Sequence, residues 1–169
     1  DPLETHYRPR MHVTWNPLAA LQAHDAQIAA SGITTVFDAL RIGSDAEGTD
    51  LASQAEHLIA AIARAAGDGR LRAEHFVHLR CELPSARLRA QFEQFCAHPM
   101  VRIASMMDHT PGQRQYQSME HYIAYYKPRL RLSDAELEAF IASQLAEQER
   151  WSDANRRAVV ALGREHGIV

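Results

Sequence analysis

Three short runs rich in β-branched and apolar residues, Ile33-Thr34-Thr35-Val36-Phe37, His75 to Leu83 and Val101 to Asp108, are separated by stretches of helix length. Strands spaced in this way pair in parallel through right-handed helical crossovers, whereas an antiparallel hairpin would need only a short turn. The start and stop signals of the intervening helices are specific. Asn16-Pro17 supplies an N-cap followed by proline at the first helical position; Leu18, Leu21 and Ile28 share a face, and Gly32 is the stop. Further helices are expected from Asp50 to Ala66, from Pro84-Ser85 to about Ala97, and over Met119 to Tyr126. Ser133-Asp134-Ala135-Glu136 is a capping box that opens a helix to about Arg150. A last helix, Asp153 to His166, ends at Gly167, and Ile168-Val169 reads as the start of another strand. The residues before Asn16, and Arg41 to Thr49, read as loops.

Three complete strands with cut ends make a poor sheet by themselves. The expected architecture is α/β, roughly the first half of a TIM-like (β/α)8 barrel, forming one partial domain over residues 1–169 that is truncated at both ends. A small doubly wound domain competes, but no Gly-rich phosphate loop follows any strand. The 46% hydrophobic and 23% charged content suits a soluble globular protein. A net charge of −3 with dispersed arginines gives little support to a nucleic-acid surface. No apolar stretch approaches the roughly 20 residues that cross a bilayer. Cys81 and Cys96 are too few for a disulfide framework, so a cytoplasmic setting is expected, with Cys81 a buried small hydrophobe.

Each strand ends in polar residues, and the carboxyl edge of a parallel sheet is where active sites are built. The first strand contributes Asp38, the second His78-Leu79-Arg80-Cys81-Glu82, and the third Asp108-His109 before a Pro111-Gly112 turn. Alternation puts His78, Arg80 and Glu82 on one face and Leu79, Cys81 and Leu83 on the other. A carboxylate and an imidazole from neighbouring strand ends suit a catalytic divalent ion. The plainer readings are an internal ion pair for His78-x-Arg80-x-Glu82, a turn or cap for Asp108-His109, and a structural role for His24-Asp25. Arg80, Gln113 and Arg114 are candidates for contacts with an anionic substrate, since guanidinium forks match phosphate oxygens. Tyr122, Tyr125, Tyr126, Lys127 and Arg129 read as interhelical packing before they read as a lid.

These motifs, with Ser31-Gly32-Ile33-Thr34-Thr35-Val36-Phe37-Asp38-Ala39, Arg72-Ala73-Glu74-His75 and Met107 through Gln115, resemble the alpha-D-ribose 1-methylphosphonate 5-triphosphate diphosphatases. That family serves the carbon–phosphorus lyase pathway and lies within the amidohydrolase superfamily. The resemblance runs over essentially the whole chain and implies a metal-dependent hydrolase barrel, with Zn, Mn, Fe or Mg as the ion. It implies hydrolysis of the ribose 5-triphosphate to a 5-phosphate plus pyrophosphate. It further implies Asp1 as the end of a His-x-Asp metal motif, Glu82 as a bridging carboxylate and His109 as an imidazole ligand. A further His and a strand-eight Asp would follow Val169, so the chain alone is expected to be inactive. The implied partner is the phosphorylated ribose methylphosphonate, with no nucleic acid or membrane; homo-oligomerisation is left open. The competing functions are an amidohydrolase acting on a C–N bond and a non-catalytic fragment or assembly component.

Overall fold

The computed structural model describes residues 2–10, 13–44, 50–113 and 116–169. The elements run in the order α1 (Pro2–Tyr7), α2 (Pro17–Ala30), β1 (Thr35–Ile42), α3 (Leu51–Gly67), β2 (Glu74–Glu82), α4 (Leu88–Phe95), β3 (Val101–Met107), α5 (Met119–Leu130) and α6 (Asp134–Glu165). The strands form one parallel sheet in the order β1-β2-β3. Val169 donates its N–H to the Arg102 carbonyl (3.0 Å) and accepts from the Ala104 N–H (2.9 Å). Two bonds straddling Ile103 in this way are the parallel ladder pattern. The chain after α6 therefore does return to the sheet, beside β3.

The caps act as the sequence specifies. Asn16 Oδ1 accepts from Leu18 and Ala19, Asp50 accepts from Ser53, and Ser133 with Glu136 forms the reciprocal box. Four expectations are corrected. The N-terminal loop contains a helix, α1, whose Glu4 carboxylate accepts from both the backbone N–H and the Nε of Arg41 and so covers the outer edge of β1. The first strand starts and ends later than expected. With Gly32 at φ +76°, Gly32 N bonds Ala29 O and Ile33 N bonds Ile28 O, so Ile33 closes the helix instead of opening the strand. The two C-terminal helices are one 32-residue helix, about 48 Å long. Ser152 and Asn155 are buried in it, and neither Gly nor Pro interrupts residues 148–155. Finally, α4 begins at Leu88, because Ser85 Oγ accepts from Arg87 N and shapes a turn first.

The core lies on one face of the sheet. Leu40 and Ile42 of β1 and Val77, Leu79 and Cys81 of β2 are fully buried, with Leu21, Leu58, Ile62, Leu88 and Phe92 from the helices. On the other face Phe37 and Phe76 stack at 5.7 Å, with His78, Arg80 and Glu82 half-buried beyond them. Between β2 and β3 the register steps from Val77↔Val101 to His78↔Ile103, so Arg102 is an extra residue in β3. No helix among the described residues is long and apolar enough to cross a membrane.

Candidate functional site

Glu82 is the last residue of β2, and His109 follows β3 by two residues. Adjacent parallel strands bring them together. His109 donates its backbone N–H to Glu82 Oε1 (2.9 Å), and its ring Nδ1 lies 2.5 Å from Oε2. With the carboxylate accepting from Nδ1–H, a neutral ring keeps its lone pair on Nε2. Both side chains retain some exposure, 28% for His109 and 15% for Glu82. Both residues thus sit at neighbouring strand ends, in direct contact.

Asp108 has a different role. Its carboxylate accepts from Thr110 N (3.0 Å), from the Thr110 hydroxyl and from Gln148 Nε2 (2.9 Å), which is the turn arrangement. Arg80 shares the face of Glu82, with its Nε directed to Met107 Sδ at 3.0 Å. Gln113 is exposed in the turn that follows His109. Asp1 and Arg114 lie outside the described residues. His78 pairs with Ser105 at 2.7 Å, and burial pushes its imidazole toward the neutral form. Tyr116 meets the His109 ring edge-on and packs with Tyr122 and Tyr126, which in turn pack against Phe140, so the aromatic segment joins α5 to α6.

A second polar cluster occupies the helix-covered face. Asp38 is not at a strand end: it lies in mid-β1, opposite Val77, and is 2% exposed. Glu82 is five residues beyond Val77, about 16 Å further along the sheet, and on the other face. Asp38 accepts from His24 Nε2 (2.9 Å) and from His75 Nδ1 (2.7 Å). His75 Nε2 lies 3.4 Å from Asp25, whose oxygens also accept from Arg72 and Ala73. Burial pushes the Asp38 carboxyl up, but the bonds and charges of His24 and His75 outweigh it and hold it below its ordinary range. Burial likewise opposes charge on His75, yet Asp38 and Asp25 raise it above its ordinary value. The ligand atoms of His24, Asp38 and His75 lie within 4.8 Å of one another and could hold a metal ion.

Cys81 is fully buried, and burial pushes its thiol up to about 12. Iodoacetamide at pH 8 is therefore expected to leave Cys81 unmodified in the native protein and to alkylate it after denaturation. Peptide mass spectrometry reads the difference, and native labelling of Cys81 would contradict this packing.

The fold and site thus define a parallel α/β chain with a carboxylate–imidazole pair at its strand ends. No family model matches the chain, and no solved structure matches it. It is 42% identical over 168 residues to the alpha-D-ribose 1-methylphosphonate 5-triphosphate diphosphatase of Escherichia coli strain K12. That alignment covers 99% of this chain and 44% of the relative, so the chain spans less than half the relative's length.

Proposed function

We propose that the protein is a metal-dependent hydrolase of phosphonate catabolism. It converts alpha-D-ribose 1-methylphosphonate 5-triphosphate to the 5-phosphate and pyrophosphate. The observation that carries this reading is the 42% identity, which extends along 99% of the chain. The sheet would be part of a (β/α)8 barrel, a reading supported by the β1-β2-β3 order and by the return of Val169 to the edge of β3. The unpaired Cys81 and Cys96 suit a cytoplasmic setting.

The Glu82–His109 pair fits a divalent ion. A carboxylate and an imidazole are suitable ligand types, and each Glu82 oxygen keeps a second lone-pair direction beyond its contact with His109. Glu82 and His109 would hold the ion, with Asp1 the expected third ligand. When bound, such an ion supplies Lewis-acid polarisation and lowers the pKa of water. The protein's own groups do the positioning. Arg80 lies on the Glu82 face, where its guanidinium can orient phosphate oxygens; Gln113 lies in the turn after His109, and Arg114 is the next residue in sequence. The leaving pyrophosphate carries charge that these donors offset.

The test uses Glu82→Ala and His109→Ala in the full-length protein. Loss of a direct ligand is expected to lower pyrophosphate release by more than about 100-fold and to deplete bound metal, since even outer-shell changes cost about 10–100-fold. Normal metal content with normal release in both variants would sink the assignment. Ammonia release from amide substrates would instead indicate C–N chemistry.

A further inference from the structure

We infer that Gln148 and Asn155 of α6 are positioning residues, through which one helix sets the relative placement of Glu82 and His109. The inference rests on the reading of that pair as the working site. Asn155 Nδ2 donates to the Leu83 carbonyl (2.8 Å) and to the Ser85 carbonyl (2.7 Å). Gln148 Nε2 donates to Asp108 Oδ2 (2.9 Å). Leu83 immediately follows Glu82, and Asp108 immediately precedes His109. Each amide therefore grips the neighbour of one site residue.

The two amides are seven residues apart, two helical turns on one face and about 10.5 Å along the axis. A rigid helix fixes that separation better than the irregular segments that follow the two strands could. The backbone adds one tie of its own, from Leu83 N to Met107 O at 2.8 Å. That bond fixes strand pairing, whereas the α6 amides fix the segments beyond the strands. Asn155 is buried, and a buried amide costs stability unless it is satisfied. Its donor capacity is spent entirely on the two carbonyls after β2. Ser152, between the two amides on the same stripe, shows the contrast: it is buried and its hydroxyl has no hydrogen-bond partner among the described residues. A polar group on this face does not find a partner automatically.

The experiment compares Gln148→Met, Asn155→Leu and Ser152→Ala in the purified full-length protein. One readout is the NMR resonance of the His109 Nδ1 proton shared with Glu82, identified by its loss in His109→Ala. The others are kcat and KM for pyrophosphate release. In Gln148→Met and Asn155→Leu the resonance is expected to shift, and kcat to fall about 10-fold or more with KM changed less than about threefold. Ser152→Ala is expected to leave the resonance, kcat and KM unchanged. Gln148 is only partly buried, so its variant folds and keeps the test decisive even if Asn155→Leu does not. An unmoved resonance in folded Gln148→Met, or an equal shift in Ser152→Ala, overturns the inference. Full pyrophosphate release by Glu82→Ala would remove the functional reading, and the resonance would still decide whether α6 sets the pair.

Discussion

Asp38→Ala is expected to lower the free energy of unfolding by about 3–5 kcal/mol, because removing one member of a buried ion-paired group leaves the others uncompensated. His24 and His75 would lose the acceptor they share, inside a face where both are almost fully buried. Urea denaturation of wild type and variant measures this, and a loss below about 1 kcal/mol would mean that the cluster is not ionic in the folded state. Its pH dependence has a definite sign. The Asp25 and Asp38 carboxyls are held below their ordinary 3.8, so their contribution is present above that pH and is lost as pH falls through the lower folded values. His75 is raised above 6.5, so its contribution is complete below 6.5 and is lost as pH rises through its folded value. In chelator-treated protein the difference between wild type and Asp38→Ala should therefore be greatest between about pH 4 and 6.5.

Gly43→Ala is expected to cost about 2–5 kcal/mol, combining backbone strain with overpacking. Gly43 has φ +109°, and a Cβ there would meet Glu82 Cβ at 2.9 Å, the Glu82 carbonyl oxygen at 3.1 Å and Ser85 Cβ at 3.3 Å. The atoms that must give way belong to the backbone and Cβ of the end of β2, so Glu82 would be displaced along with the loss of stability. Gly32→Ala is the matched control: φ is +76°, and nothing lies within 4 Å of its added Cβ. It should cost only the conformational penalty of about 1–2 kcal/mol. Similar melting temperatures for the two variants would show that close approach at Gly43 is not limiting.

The elements were legible because their signals are local. Asn16-Pro17, Asp50 and the Ser133–Glu136 box each act within one helical turn, and each starts its helix as expected. The partition of β2 into His78-Arg80-Glu82 and Leu79-Cys81 was also legible, since strand alternation has a period of two. Carried back along β2, the same alternation groups His75 with Val77 and Leu79, on the buried face. The partners of His75, however, come from elements far apart in sequence: Asp38 is 37 residues away. Asp38 looked like a strand terminus because Ile33 reads as β-forming, whereas Ile33 is taken up by the cap of α2. The grip of Asn155 on the segment after β2 spans 72 residues to Leu83, and no local pattern announces it. Ser152-Asp153 resembles a helix start only while those long-range contacts are unknown.

Arg102, the extra residue in β3, changes the parity of everything that follows it. Before it, Val101 pairs with Val77, both buried against the helices; after it, Ile103, Ser105 and Met107 fall opposite His78, Arg80 and Glu82. Partners in a parallel pair point the same way, so odd-numbered residues of β3 now look away from the helices. Extended two residues further, this numbering gives His109 to Glu82 and leaves Asp108 to Gln148 on α6. Were Arg102 paired with His78 in regular register instead of left unpaired, the assignments would swap. An aspartate would then face Glu82, and two carboxylates would repel where a carboxylate and an imidazole now meet. Leaving Arg102 out of the pairing, at the far end of the strand, thereby selects which chemistry reaches the site.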